Sequence, residues 1–514
     1  MMKYLSKNKR SVLLVALIAF LFFVAFSYAA VKRHENYLSD FDLALATNTL
    51  WNTTHSTYGG STMNLYFSGY EGNNYLGLHF SPVLFLALPF FVLWPRPETL
   101  LIFQSLILVL GVIPLYHIAK YFRINEKITI ALMLYYLCFP GLVSAVLYDY
   151  HPITFLPLFF LSFFYFYLKK KHLPFVLFLI LAVLVKENVS IFVSFFGLFL
   201  LFNKKDRKLG VALFVSGAVI FLILTGIIIP GLGTGSYPFQ SFYPEMSQAP
   251  EKLTSISGFF DIAKSFVLRI LSPPHKWFVV FIYLLLAFPA IFITKFSILL
   301  FAAPLLQKVL AVNQNYWEIS HFHYNVAFLP VSIITIILGY VWLRKLVDGN
   351  KYRLLPTWAP RFSAITSLLL VLLSFLFINL PTLYSYSFYD NPSKPYYDEL
   401  LENLPKESNN IAYSGFAKIL PHLYNKNKVY LFPLIADAKH VVLLKDHERS
   451  FPEITNYLKR GGYYRVLFKN KEGSVFERKE KVNATLKNDL LMLCENNQIY
   501  DSAIVLQAKN CIYE

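Results

Sequence analysis

The amino-acid sequence predicts a polytopic α-helical membrane protein that ends in a small α/β domain outside the membrane. Hydrophobic residues make up 56% of the 514 residues and charged residues only 15%, and the mean hydropathy is +0.49. Repeated apolar runs of roughly 17–25 residues are long enough to cross the ~30 Å hydrocarbon core of a bilayer. The net charge of +17 falls in short clusters between these runs, which indicates cytoplasmic loops rather than nucleic-acid binding.

The first apolar run, from Ser11 to about Ala30, follows four basic residues. It is too long for the core of a signal peptide, so it predicts an uncleaved first membrane helix. The run Val83–Trp94, bounded by Pro82 and Pro95, has about 12 residues and is too short to span. It predicts an interfacial or re-entrant helix on the outer face.

The later apolar runs predict the remaining crossings, and the run 173–202 divides into two short helices at Lys186-Glu187-Asn188. If every basic cluster is cytoplasmic, the chain makes about eleven crossings in the cell membrane, with the N-terminus inside and the C-terminus outside. Residues 1–383 then form the membrane domain, which includes a long first outer loop at 31–81. The other predicted crossings lie at about 98–119, 128–147, 152–168, 209–229, 277–294, 296–312, 324–343 and 362–382.

Residues 384–514 carry more charge and shorter apolar runs, which predicts an extracytoplasmic α/β domain. Helices are expected near 452–460 and 484–493. Cys494 and Cys511 lie in this part of the chain, and the sequence leaves open whether they pair or stay free. Alternating and apolar segments predict strands at Ile411–Ser414, Val429–Leu431, His440–Leu444 and Tyr463–Phe468.

The predicted topology brings several polar groups to the outer face. Asp40 and Asp42 follow the first membrane helix. They are either ordinary solvated loop acids, or a general base or metal ligand for a group transferred at the membrane surface. His79, just before the short interfacial helix, either binds phosphate or caps that helix.

Two further groups lie at predicted turns. Asp149 and His151, two residues apart, could form a metal or acid–base pair, although Asp and Pro also suit such a turn structurally. Lys186 and Glu187 interrupt an apolar run, where a charge at mid-bilayer costs ~2.5–3.5 kcal/mol and usually marks function. They could hold a lipid-linked phosphate, or neutralise each other at the interface.

His321 and His323 lie just before a predicted span and could bind metal or phosphate, or belong to an interfacial belt. A divalent metal, Mg²⁺ or Mn²⁺, could be held by Asp149, His151 or His321. The sequence has no Walker loop, no GxGxxG before a helix, no HExxH and no cysteine metal spacing. ATP hydrolysis and dinucleotide redox chemistry are therefore unsupported.

The order of these motifs resembles a family of predicted polytopic membrane proteins of unknown function that is placed with the GT-C superfamily of membrane glycosyltransferases. Tyr150 stands where phenylalanine is usual in that family, and Asn188 stands where an acid is expected. The external segment Ala412–Pro433 is also similar. The motifs are Phe41-Asp42, His79-Phe-Ser-Pro82, Gln104 with Gly111-Val-Ile-Pro-Leu-Tyr116, Asp149-x-His151-Pro152, Lys186-Glu187 and His323-Tyr324.

The resemblance implies a GT-C-like membrane domain whose active site, at the outer face, takes sugar from a polyprenyl-phosphate donor. It implies a catalytic acid in the first outer loop, which by position is Asp42, with Asp40 as the second choice. The acceptor would be a glycan, lipid or protein. Two alternatives remain: a transporter or flippase of a lipid-linked or polar substrate, and a membrane scaffold whose external domain binds a partner.

Overall fold

A computed structural model describes most of the chain, and all statements of structure below concern that part. The described residues are 2–64, 74–202, 206–233, 256–294, 296–311, 314–319, 322–349, 356–388, 390–405, 410–432, 435, 437–445, 455–456, 458–459 and 464–479.

Helices dominate the described residues. The α-helices are α1 (Met2–Glu35), α2 (Phe41–His55), α3 (Leu88–Leu93), α4 (Pro97–Leu110), α5 (Val112–Tyr121), α6 (Glu126–Leu137), α7 (Pro140–Tyr148), α8 (Leu156–Leu168), α9 (His172–Val183), α10 (Val189–Leu201), α11 (Arg207–Ile223), α12 (Ile229–Leu232), α13 (Ile256–Leu271), α14 (His275–Leu286), α15 (Ala290–Ile293), α16 (Ile298–Leu310), α17 (Phe328–Asp348), α18 (Ala359–Ser374), α19 (Leu380–Phe388) and α20 (Lys394–Glu402). Short 3₁₀ helices occupy Thr62–Asn64, Tyr75–Gly77, Pro82–Ala87, Pro152–Phe155, Gln314–Trp317, Tyr324–Ala327 and Leu420–Leu423, and π-helical turns occupy Leu224–Ile228 and Phe375–Asn379.

The helical membrane fold is confirmed, but the number of spans is not. Among the described residues, 6 helices are long and apolar enough to cross a bilayer. The short helix Pro82–Leu93, predicted not to span, is too short to do so in the structure as well. The six are Val12–Glu35, Pro97–Tyr121, Glu126–Tyr148, Arg207–Leu232, Tyr324–Asp348 and Ala359–Ser385. The five other predicted spans are helices of 10–17 residues: Pro152–Leu168, His172–Val183, Val189–Leu201, His275–Leu286 and Ile298–Leu310.

The chain divides into two compact units. The first, here called the helical unit, consists of Met1–Ala30, Leu101–Ile223 and Phe242–Ser387. The second, here called the mixed unit, consists of Val31–Leu100, Leu224–Ser241 and Phe388–Glu514.

In the helical unit, α17 is the most enclosed of the long helices, since 14 of its side chains are buried, among them Ile333, Ile337 and Tyr340. The helices α10 and α11 pack closely because Gly197 has no side chain. A Cβ added there would lie 2.4 Å from the backbone nitrogen of Phe214. Small residues at such contacts are typical of membrane helix pairs, because they let the two backbones approach.

The mixed unit contains a five-stranded sheet in the order β2-β1-β3-β5-β4. The strand β1 pairs in parallel with β2 and β3, while β5 is antiparallel to both β3 and β4. Every residue of β3 is buried, as expected for a central strand with both faces covered. The strands are β1 (Tyr413–Gly415), β2 (Val429–Leu431), β3 (His440–Leu444), β4 (Tyr464–Lys469) and β5 (Gly473–Arg478).

The structure departs from the sequence-based expectations in three places. Residues 31–81, expected as a loop, contain the 15-residue helix α2, whose threonine and asparagine content weakens its helical signal. The predicted 230–276 loop contains α13. The strand β5 was not predicted, because Gly473 and the charged Glu477 and Arg478 leave only a short apolar centre. Cys494, Cys511 and most of the two expected C-terminal helices lie outside the described residues.

Candidate functional site

A turn in the helical unit presents the Asp149–Pro152 motif. Asp149 ends α7 in an extended conformation, with φ −169° and ψ −174°. His151 precedes the 3₁₀ helix Pro152–Phe155, whose Ile153 N–H donates weakly to His151 Nδ1 at 3.5 Å. Asp149 and His151 are both buried, at 1% and 5% exposure. The sequence placed this turn correctly between two helices, but not its depth in the protein.

Gln104, on α4, holds this turn in place. Its Nε2 donates to the carbonyl oxygen of Asp149 at 2.9 Å, and its Oε1 accepts from the backbone N–H of His151 at 2.7 Å. Further bonds join it to the carbonyl of Ala145 at 3.3 Å and the hydroxyl of Thr154 at 3.4 Å. Gln104 is fully buried, so these bonds compensate for the loss of water.

Sequence reasoning named Gln104 only within the family-like motifs and assigned it no role, although it holds the turn of the candidate site. The signal was present, because an amide in the middle of a 22-residue apolar run must be hydrogen-bonded inside the protein. What the sequence could not supply was its partner, since the turn lies 45 residues further along the chain.

The segment that carries His323 packs closely against α7. It precedes the 3₁₀ helix Tyr324–Ala327, and Asn325 donates to the carbonyl of Glu318 at 2.7 Å and that of Ile319 at 3.1 Å. Gly141 on α7 lets this segment approach, because a Cβ there would lie 2.4 Å from the carbonyl carbon of Asn325. A larger residue at 141 would push the histidine segment away from α7.

The imidazole rings of His151 and His323 stack, with their centroids 3.4 Å apart and their planes 14° apart. One ring nitrogen of each lies within 4.8 Å of the other's. His323 is 3% exposed and also contacts Tyr324, at 4.2 Å between ring centroids. Two imidazolium cations this close would repel each other. The pair therefore suits a metal ion, which neutral rings would bind, or an anionic ligand that offsets the charge of protonated rings.

Lys186 and Glu187 form the turn between α9 and α10, in the helical unit. Both are buried, at 6% and 1% exposure. Their carbonyl oxygens accept hydrogen bonds from the first residues of α10. That of Lys186 accepts from Val189 N–H at 2.9 Å, and that of Glu187 accepts from the Ser190 hydroxyl at 2.6 Å. Two ionisable residues buried between apolar helices fit the predicted functional island, because such burial is costly and must be compensated.

The two acids after the first helix lie in the mixed unit, and they have different structural roles. Asp40 is the N-cap of α2, and its carboxylate accepts from the Phe41 N–H at 2.9 Å. Asp42 lies in the first turn of α2 and is half-buried. A carboxylate in the first turn is favourable beside the helix dipole. The structure therefore gives Asp40 a capping function, while a catalytic role for Asp42 stays a prediction.

Helix α2 is fixed to the sheet of the mixed unit. Trp51 Nε1 donates to the side-chain oxygen of Asn427 at 2.8 Å, and Asn52 donates to the Asn427 carbonyl at 3.0 Å. Thr62, after α2, exchanges two bonds with Val429 of β2, at 2.7 and 2.8 Å. The C-terminal segment thus orients the helix that carries Asp42.

The remaining predicted residues are His79 and His321. His79 is half-buried in the mixed unit, and its backbone N–H donates to the carbonyl of Tyr75 at 3.1 Å. It lies two residues before Ser81, which is the N-cap of the 3₁₀ helix Pro82–Ala87, so His79 does not cap that helix. His321, predicted as a ligand for metal or substrate, lies outside the described residues. Of the predicted residues, the structure brings His151 and His323 into contact, with Asp149 in the adjoining turn.

Comparison with known proteins gives one family. The model of a family described as "Predicted membrane protein (DUF2079)" matches residues 33–457. The chain belongs to this family. The match includes Asp42, Gln104, His151 and His323, so the first turn of α2 and the histidine pair both lie within the matched region. No curated protein matches the chain.

Solved structures with a similar fold include ArnT from Cupriavidus metallidurans in the apo state, with a TM-score of 0.50 and 10% identity over 92% of this chain and 98% of that one. The apo oligosaccharyltransferase of Archaeoglobus fulgidus has a TM-score of 0.45 and 12% identity, over 90% of this chain and 74% of its own. AglB of that organism, in complex with an inhibitory peptide and a dolichol-phosphate, has a TM-score of 0.42 and 11% identity over the same shares. The likeness to ArnT, at 10% identity, shows a similar fold.

Proposed function

We propose that this DUF2079 protein is a membrane glycosyltransferase that takes its sugar from a polyprenyl-phosphate donor at the outer membrane face. The observation that carries the proposal is the buried His151–His323 pair, stacked at 3.4 Å and held by Gln104. A hydrophobic interior retains such a costly polar group when it binds a charged ligand. The ArnT-like fold supports the reaction class.

The proposed reaction is a single inverting displacement. Asp42 removes the proton from an acceptor hydroxyl, and the acceptor oxygen forms a bond to the anomeric carbon. The bond between that carbon and the phosphate oxygen breaks, and polyprenyl phosphate leaves with both bonding electrons. Lys186 and His323 offset the negative charge on the departing phosphate, with His79 or His151 as further cations and Glu187 orienting Lys186.

The histidine pair also fits a divalent metal. Two imidazole nitrogens suit Mn²⁺ or another transition metal better than Mg²⁺, which prefers oxygen ligands. His151 and His323 would hold the ion, with Asp149 as a carboxylate in the adjoining turn. When bound, the ion would neutralise phosphate charge. Loss of activity on chelation, restored by Mn²⁺, would support this metal site.

The proposal includes the predicted orientation of the chain in the membrane. With eleven crossings, α2 and the sheet of the mixed unit would lie on the outer face, where a lipid-linked donor is available. Labelling of single cysteines with a membrane-impermeant maleimide tests this orientation. A cysteine at Lys170 is expected to stay unlabelled in intact cells and one at Thr57 to be labelled. The reverse pattern would overturn the topology.

The direct test is transfer of labelled sugar from a panel of polyprenyl-phosphate sugars by the purified protein in nanodiscs. A labelled product with inverted anomeric configuration is expected. A His151→Gln/His323→Gln variant that keeps wild-type transfer would remove the observation on which the proposal rests.

A transporter or flippase is the second candidate, and one observation favours it. Lys186 and Glu187 lie between two helices of 12 and 13 residues, and short broken helices around polar residues are typical of transporter sites. Movement of a labelled lipid-linked sugar across sealed vesicles, with no covalent transfer, would support this function and contradict the first.

A further inference from the structure

A basic cavity lies in the helical unit, apart from the residues of the candidate site. Its volume is about 470 Å³, and Lys170, Lys171, His172 and Lys208 line it. Aromatic walls come from Tyr121, Phe166 and Phe175. The cavity thus combines cations with an apolar surface, and the proposed glycosyl transfer uses none of these residues.

The charges in the cavity are unequal. Among the residues that the structure describes, three lysines and one carboxylate line it. The carboxylate is that of Asp206, which accepts from the hydroxyl of Tyr167 at 2.9 Å. Two helices of 12 and 17 residues, α9 and α11, begin beside it at His172 and Arg207. Helix N-termini add partial positive charge, so the cavity favours an anion.

The backbone fixes two of the lysines. The helix α8 ends in a turn in which Lys170 N–H donates to the carbonyl of Tyr167 at 3.0 Å and Lys171 N–H to that of Phe166 at 3.1 Å. Lys170 has a φ of +53°, in the left-handed region where glycine is usually preferred at this position. The turn therefore presents lysine side chains where the fold by itself would favour glycine.

We propose that this cavity binds the phosphate headgroup of an anionic phospholipid from the adjacent leaflet. Lysines bind phosphate as point charges, and basic pockets between membrane helices on the cytoplasmic side hold lipid headgroups. The aromatic walls favour a lipid over free phosphate, because they can cover its glycerol and upper acyl chains. The predicted topology puts these lysines on the cytoplasmic side, where anionic lipids are attracted by such clusters.

The test compares two variants with equal loss of charge. The cavity variant carries Lys170→Gly, Lys171→Gln and Lys208→Gln, in which glycine suits the left-handed conformation at residue 170. The control variant carries Arg123→Gly, Lys127→Gln and Lys345→Gln. Arg123 has a φ of +52° in a similar helix-ending turn, and none of the three lines the cavity.

Native mass spectrometry of the full chain from nanodiscs of phosphatidylglycerol and phosphatidylcholine reads out the bound lipid. The wild type and the control are expected to retain phosphatidylglycerol, and the cavity variant to retain at least tenfold less. Equal retention by all three proteins, or equal retention of phosphatidylcholine, would overturn the proposal. Displacement of the lipid by millimolar inorganic phosphate would also overturn it, because the ligand would then be soluble phosphate.

Thermal unfolding of the same proteins separates binding from folding. Equal midpoints are expected in detergent without added lipid. If the cavity variant does not fold, Lys208→Gln alone replaces it, with an expected loss of about threefold in retained phosphatidylglycerol. Unchanged retention by a folded Lys208→Gln protein would count against the site.

Discussion

At the scale of residues, the two acids after the first helix separate into different roles. Asp40 accepts a backbone hydrogen bond at the start of α2, and replacing such a cap with alanine typically costs ~1 kcal/mol. Asp42 lies half-buried in the first turn of the same helix. We therefore expect substitutions at Asp40 to change mainly stability and substitutions at Asp42 to change mainly sugar transfer.

We predict that Asp40→Ser, which can still cap α2, keeps both the unfolding temperature and sugar transfer near wild type. Asp40→Ala should lower the unfolding temperature, because the N-terminus of the helix loses its acceptor. Differential scanning fluorimetry and the transfer assay measure the two effects. A large loss of transfer in Asp40→Ser with unchanged stability would make Asp40 the catalytic acid.

Gln104 gives a second prediction at this scale. Gln104→Leu keeps the size of the side chain but leaves the buried N–H of His151 and carbonyl of Asp149 without their partner, at about 1–3 kcal/mol for each group. We expect lower thermal stability and at least tenfold slower transfer. Ser105→Ala is the matched control, because the Ser105 hydroxyl bonds only within its own helix, to Leu101. Equal effects of both substitutions would contradict a positioning role for Gln104.

At the scale of elements, the sheet of the mixed unit supports α2. Thr62→Val should lower the unfolding temperature, because both backbone groups of Val429 lose the Thr62 hydroxyl, at about 1–3 kcal/mol for each buried group. Thr49→Val is the control, since the Thr49 hydroxyl bonds to Leu45 within α2. If Thr62→Val and Thr49→Val have the same stability and transfer rate, the contact between Thr62 and β2 does not help to orient α2 and Asp42.

The same scale shows what the sequence could and could not predict. Long apolar runs predicted most helices, and the charged interruption at Lys186–Asn188 predicted the two short helices around it, because hydrophobic length reports directly on membrane helices. The strands β2 and β3 followed from β-branched apolar runs. Helix α2 was missed because its partners, Lys426 and Asn427, are distant in sequence, and tertiary contacts outweigh its weak propensity.

The candidate site was likewise predictable only where local sequence determines it. The spacing of Asp149 and His151 and the unusual His-x-His segment singled out polar groups, of which the structure brings His151 and His323 into contact. Their meeting depends on Gly141, which allows a close backbone contact between α7 and the segment at Asn325. Contacts between segments so far apart in the chain leave no local pattern in a single sequence.

At the scale of the whole molecule, the fold should lose stability in acid. In the mixed unit, burial, with a smaller contribution from Lys394, lowers the pKa of His422 from 6.5 to about 3. The ring stacks on His34 at 4.4 Å and lies beside Tyr37 at 4.1 Å. It therefore stays neutral in the folded protein at pH values where an unfolded histidine is protonated.

The sign of this effect follows from proton binding. Above about pH 6.5 both states hold a neutral His422, and it adds no pH dependence. Between that pH and about 3 only the unfolded chain binds the proton, so stability falls by about 1.4 kcal/mol per pH unit from this residue. Unfolding midpoints of the full chain between pH 7.5 and 4.5 should fall less steeply in His422→Phe than in wild type. Identical slopes would show that His422 is not buried as a neutral ring.

The central claim is that this membrane protein transfers sugar from a lipid phosphate with Asp42 as the base. The most direct test is transfer of labelled sugar from a polyprenyl-phosphate donor by purified wild type, Asp42→Asn and Asp40→Ser in the same nanodiscs. We predict inverted product from wild type and Asp40→Ser, and at least a hundredfold less from an Asp42→Asn protein of unchanged unfolding temperature. Wild-type transfer by Asp42→Asn would contradict the claim.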